Sequence, residues 1–389
     1  MQSNYLKATL SVSRRSLLTG AIALGVAQLL TGCQASPDQR LVVKFLRDAV
    51  PAPMLGEFRR FLDERVSLDF LAEPQLADLF QGLVRSHQIQ EDSRDDSGWL
   101  PWRRSPQIPH LSLLGHSWLP KAIDNQLIQP LEAESWSNWT SLPETPINWR
   151  ELPRRGDRLW GAPYRWGTTV IVYRKDKFAQ LGWTPQDWSD LWREELRGRL
   201  ALLDSPREVI GLTLKKLGYS YNHDRPQDVP ELVNELQTLQ KQVLFYSSTA
   251  IQQPLLRGDI WVAIGSSRDI LGIPQYGQQL EAIVPQSGTA LWADYWVRPA
   301  DVAAHELSDR WIDFCWQPRI AQQLSLLAFA TSPQVLGTPR QDLPESLRRN
   351  GVLLPDSDRL QRSEFIELDL GDASLSQYRQ IWQQLRRGT

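Results

Sequence analysis

The chain predicts an α/β fold of two domains, and three observations carry that expectation. Apolar runs with period-2 alternation and runs with helical spacing follow one another along the sequence, the pattern of strands and helices layered around a sheet. Of 389 residues, the first 32 read as a removable signal, and the 357 that remain are enough for two ordinary cores. Two cysteines provide no disulfide framework, so the fold must stand on its apolar interior.

In order along the chain, Lys7, Arg14 and Arg15 precede an apolar run over residues 17–30 that ends in "LTGC". A charged start, a short apolar stretch and small residues are an export signal, too short for an ordinary membrane span. "SRRSLL" resembles a twin-arginine signal, and "LTGC" resembles a lipobox, in which cleavage precedes Cys33 and its sulfur is acylated. Residues 1–33 are therefore read as signal with lipobox and 34–40 as a linker, with Cys315 left without a disulfide partner. "LVVKFL" (41–46) predicts a strand, "PMLGEFRRFLDER" (53–65) a helix, "VSLDFL" a strand and "EPQLADLFQGLVRS" (73–86) an amphipathic helix. Polar residues 88–109, with Trp99 and Trp102 inside them, read as an exposed insertion. "HLSLLG" (110–115) is the next strand, followed by a helix and a Pro- and Trp-rich stretch over 134–158.

"LWGAPYRWGTTVIVYRKDKF" (159–178) contains a β-branched strand, with Gly167 permitting close backbone approach. A Trp-studded helix, a short strand at 200–203 and a helix from Pro206 come next; Asp204 and Ser205 can cap that helix, whose first turn holds Glu208. A helix (229–241), a strand (243–246) and "GDIWVAIGSSRDIL" precede a helical tail over 306–316, 320–329 and 374–387.

Composition excludes several function classes. The signal holds three of 43 Lys and Arg and none of 45 Asp and Glu, so the mature chain carries a net charge of −5, unsuited to nucleic acid or an anionic bilayer. The five histidines, His87, His110, His116, His223 and His305, form no metal-ligand spacing, and no cofactor is expected. A Gly-rich phosphate loop and a G-x-S-x-G elbow are both missing. Tyr219 and Tyr221 are a weak echo of a ferric-ion site and read better as helix-end packing.

The stretch "GTALWADYW" (288–296) sets a carboxylate between indoles in an apolar strand. Alternation puts Trp292, Asp294 and Trp296 on one face and Leu291, Ala293, Tyr295 and Val297 on the other. An acid beside aromatic faces suits a cationic ligand. The ordinary alternative is a core pair, with Arg298 as the nearest partner in sequence.

The runs "PYRWGTTVIVYRKDKF", "LWREELRGRLALLDSPREVIGLTLKKLGYSYN" and "VPQSGTALWADYWVRPAD", in this order, resemble the bacterial spermidine/putrescine-binding proteins of ABC transporters. The resemblance is strongest over residues 159–301. It implies a type II periplasmic-binding fold in which two α/β lobes, joined by crossover strands, close over a solute. The lobes would comprise 41–169 with 294–335, and 170–293 with 336–389. Residue by residue, Trp292 and Asp294 match an aromatic and an acid that hold the polyamine, and Glu208 matches a carboxylate near the far amine. Ser205 stands where the family often has an acid, Asp269 matches an acid used by putrescine receptors, and Trp166, Glu367 and Phe329 fall near further contacts. Leu46, Ser117 and Ser266 replace expected aromatics.

The expectation is a monomeric, lipid-anchored periplasmic receptor, not an enzyme, that captures a polyamine or related cation and delivers it to an ABC permease. Asp294→Asn should then weaken cation binding at least tenfold and leave the fold intact. Three alternatives stay open at this point. One is the same fold tuned to another solute, an amine-bearing metabolite or an anion recruited by Arg165 and Arg268. The others are an envelope interaction protein and an enzyme with a carboxylate pair.

Overall fold

The computed structural model describes residues 40–95, 108–300, 302–367 and 370–387. The signal, Cys33, the linker, Trp99 and Trp102 lie outside the described residues. Eight strands run in the order 67–73, 40–46, 111–115, 290–299, 162–174, 262–266, 200–202, 243–246, within one 11-stranded sheet. The first three are parallel where they pair, as are the last three, while Ala162–Arg174 and Ala290–Pro299 run antiparallel to each other at the centre. Those two long strands join the halves of the sheet, so the molecule has two α/β lobes linked by crossover strands.

Three apolar clusters fill the lobes. The first-lobe core gathers Val43, Leu113, Trp166, Trp296, Trp311 and Trp316. On the far half, one cluster centres on Ile171, Leu202, Leu212 and Tyr378, and another on Val172, Ala263, Leu280 and Leu353, so helices cover both faces of that half. Much of the tryptophan excess is here: the ring of Trp296 packs at a tilt on Tyr164 at 4.7 Å and meets Trp311 at 6.0 Å. Trp296 is thus a core residue, whereas strand alternation alone put it on the face of Asp294. Both residues are buried, and the partner strand, whose register with Ala290–Pro299 shifts at Asp294/Tyr295, accommodates Tyr164 as an extra residue whose ring packs on Trp296.

Most expected elements form, with instructive exceptions. The helix expected to stop at residue 86 runs Leu76–Asp95 and enters the stretch read as an exposed insertion, of which 96–107 lie outside the described residues. Polar residues are compatible with helix once an apolar face is docked at its start, as Leu79, Phe80 and Leu83 are. The Trp-studded segment is a short 3-10 helix, Trp188–Trp192, closed by a capping box between Asp187 and Asp190. At Pro206–Lys216 the expected cap is present: the Ser205 hydroxyl accepts from the Glu208 N–H at 3.4 Å.

Candidate functional site in the cleft between the lobes

A cleft of about 670 Å³ opens where strands of both lobes end. Leu46 closes the strand Arg40–Leu46, Leu76 follows Ser67–Glu73, Thr249 follows Val243–Tyr246, and Ser266 ends Val262–Ser266. Carboxyl ends of strands are where open α/β sheets take ligands, because loops and helix N-termini converge there. Arg268 and Asp269 line the same cleft, paired at 3.1 Å. A second hollow of about 390 Å³ lies against the first lobe and the C-terminal segment, lined by His116, Ser117, Tyr295 and Glu367 among others. The positions where expected aromatics are replaced thus face open space: Leu46 and Ser266 on the larger cleft, Ser117 on the smaller.

The two crossover strands run behind the cleft, reached from it through Arg268, whose guanidinium lies over Trp292. Asp294 stands opposite Arg165 and Trp292 opposite Gly167. Arg165 donates from Nε to Asp294 Oδ2 at 2.8 Å, with the side chains 0% and 1% exposed. Asp294 is therefore paired across the sheet with Arg165 and not with Arg298, which bonds Glu132 instead. Burial lowers the Arg165 pKa from its ordinary value; Asp294 opposes that shift and the charge of Arg268 adds to it. The Trp292 ring lies 5.9 Å from the Arg165 guanidinium and 5.6 Å from that of Arg268. Gly167 is what admits this ring, since a Cβ there would overlap both Trp292 and Ser267 Oγ.

Further along the same strand, the Thr169 hydroxyl bonds Glu208 Oε1 at 3.1 Å, while Glu208 Oε2 is buried without a hydrogen-bond partner. Burial pushes the Glu208 pKa up to about 7, against the pull of the Thr169 bond and Arg207. Ser205 stays at the helix cap. Trp166 is fully buried against Trp149 at 5.9 Å, its backbone paired with Thr331, and belongs to the first-lobe core. The ring of Phe329 is 39% exposed, on a residue with φ of 50°. Glu367 holds the C-terminal segment by its backbone, donating to Asn222 Oδ1 at 3.0 Å and accepting from Arg207 at 3.2 Å. The structure thus gathers Asp294, Trp292, Arg165 and Arg268 at one seat, Glu208 with Thr169 along the strand, and Asp269 at the rim.

His116 is a residue that reading by motif passed over. It accepts the Ala293 N–H at Nδ1 and therefore carries its proton on Nε2, which meets the Ile366 carbonyl at 3.1 Å. It ties a first-lobe strand end, the crossover strand and the C-terminal segment together. Burial lowers its pKa to about 4, opposed by the Ile366 bond and Asp294. A usable signal for the Arg165 pairing did exist: away from the strand ends, where Arg174 and Arg298 lie, each crossover strand carries one charge inside an apolar run, and the two are opposite in sign. Among the described residues no cluster of His, Cys, Asp and Glu could hold a metal ion.

Comparisons with known proteins agree with this architecture. The spermidine/putrescine-binding periplasmic protein of Escherichia coli (strain K12) is 28% identical over 262 residues, 67% of this chain and 73% of the relative. The putrescine/cadaverine-binding protein of Pseudomonas aeruginosa is 26% identical over 242 residues, 60% of this chain and 67% of the relative. A solved spermidine/putrescine ABC transporter substrate-binding protein from Streptococcus pneumoniae superposes with a TM-score of 0.77 at 20% identity, covering 90% of this chain and 99% of that one. The model of the bacterial extracellular solute-binding protein family matches residues 105–336. With two lobes on crossover strands, a cleft at the strand ends and that match over more than half its length, the chain belongs to the bacterial extracellular solute-binding proteins.

Proposed function

We propose that this protein is the solute-binding component of an ABC importer that captures an amine-bearing cation of the polyamine class and presents it to the permease. The observation that carries this reading is the strand-end cleft between the lobes, with Asp269 at its rim, Trp292 behind the Arg268 that lines it, and Glu208 as a second carboxyl group whose Oε2 is buried without a partner. Such a set suits a protonated amine, because carboxylates offset the cost of removing its charge from water and the indole face holds its methylenes. The relatives that bind spermidine, putrescine and cadaverine support the solute class.

The lobes in this reading comprise 41–169 with 294–335, and 170–293 with 336–389, and they close as a hinge on the solute. The receptor works as a monomer in the periplasm, exported by residues 1–33 through the twin-arginine route and held at the membrane by lipid on Cys33. Calorimetric titration of the mature protein tests the reading. Saturable binding of amine-bearing solutes at micromolar or tighter Kd, with none for sugars, is expected; binding of the sugars in place of amines would refute it. Cys33→Ser should move the protein from the membrane to the soluble fraction.

A further inference from the structure

The seat beside Asp294 already contains a cation. Arg165 spends one guanidinium edge on Asp294, through Nε, and its Nη1 and Nη2 are buried with no hydrogen-bond partner in the protein. A planar guanidinium with two free donors on one side is the shape that pairs with a carboxylate in two parallel bonds. Arg268 stands on the same indole, so two positive groups converge on Trp292. Asp269 answers Arg268 at 3.1 Å, and Asp294 answers only the Nε side of Arg165. An incoming ammonium would meet a guanidinium where the acid-and-indole motif offers it a carboxylate.

The other end of the row has the opposite sign. Residues 165, 167 and 169 share a face of the strand, and Thr169 lies about 13 Å from Arg165 along it. There Glu208 Oε2 is buried and unpartnered, an acceptor suited to an ammonium. The row behind the cleft therefore runs guanidinium, indole, carboxyl.

We propose that Arg165 takes the amine seat beside Asp294 and sets the specificity of the cleft, its free edge selecting a carboxylate, so that the solute is an amine that also carries an acid group. The inference rests on the reading of the chain as a receptor for amine-bearing solutes and departs from the polyamine class in one respect, replacing the second amine by an acid group. A diamine satisfies Glu208 and faces a like charge at Arg165; an amino carboxylate satisfies both.

Matched pairs test it: 4-aminobutanoate against putrescine and 5-aminopentanoate against cadaverine, each pair equal in carbon number and differing in one terminal group. Calorimetric titration of the wild type should show at least a tenfold preference for the acid-bearing member of one pair. Arg165→Met, which opens the seat, should reverse that preference. Arg165→Lys keeps the charge, loses the fork, and should weaken binding of the acid-bearing member at least tenfold, so the test survives if Arg165→Met does not fold. Equal or tighter binding of diamines by the wild type overturns the inference and leaves the receptor reading standing, as does a preference unchanged in both variants. Silence of the folded wild type toward both members of both pairs overturns the two together.

Discussion

Arg165 and Asp294 meet 2.8 Å apart across the crossover strands, 129 residues apart in sequence and without meaningful exposure. A buried pair of this kind adds little over apolar replacements, yet removing one partner strands the other charge. Asp294→Asn should therefore lower the urea-measured stability by about 3–5 kcal/mol. This corrects the expectation that the substitution would leave the fold intact. The double variant Arg165→Met/Asp294→Leu should recover most of the loss, and a double variant as unstable as Asp294→Asn would show that the cost lies elsewhere.

Glu208 predicts a pH effect of definite sign. Its pKa is about 7 when folded, above the ordinary carboxylate value, so the folded state holds the proton more tightly than the unfolded state. Stability from this group is present at low pH and declines as pH rises through about 7, by roughly 3 kcal/mol in all. Glu208→Gln should match the wild type near pH 4 in thermal unfolding and exceed it at pH 8. Because a bound amine favours the ionised carboxyl, binding near neutral pH should release a proton, visible as a dependence of the calorimetric enthalpy on buffer identity. Glu208→Gln should abolish that dependence.

His116 acts in the opposite direction. A histidine whose pKa falls to about 4 on folding contributes fully above its unfolded value and loses that contribution as pH drops, because the unfolded chain takes the proton first. The cost of acidification from pH 6.5 to about 4 should be roughly 2–3 kcal/mol from this residue. His110, also lowered to about 4 by burial and His305, adds to the same trend. The stability difference between wild type and His116→Phe should narrow on acidification; a constant difference would contradict the burial argument.

Gly167→Ala tests how the indole is seated. A methyl at this position has no room beside Trp292 and Ser267, so the ring must move or the strand must yield. Stability should drop by about 1–3 kcal/mol, and solute affinity should fall at least tenfold as the row behind the cleft is deformed. Unchanged affinity would mean that Trp292 does not support the binding site.

The α/β class, most of the longer strands and the cap at Ser205 could be read from local sequence, since alternation, helical spacing and capping are short-range signals, whereas short strands such as Leu280–Ile283 carry too few residues to show them. The motif around Asp294 also marked a charge held inside the sheet, whose partner the sequence left open. Only the tertiary structure decided which charge Asp294 meets, that Trp296 belongs to the core, and that Glu208 reaches past its own helix to Thr169. Each depends on contacts between segments more than 30 residues apart: the first on the register of the crossover strands, the second on packing against Tyr164, the third on a helix docked over the strand. Periodicity fixes which face a side chain takes along its own strand; the partner across the sheet is set by the packing of the whole core.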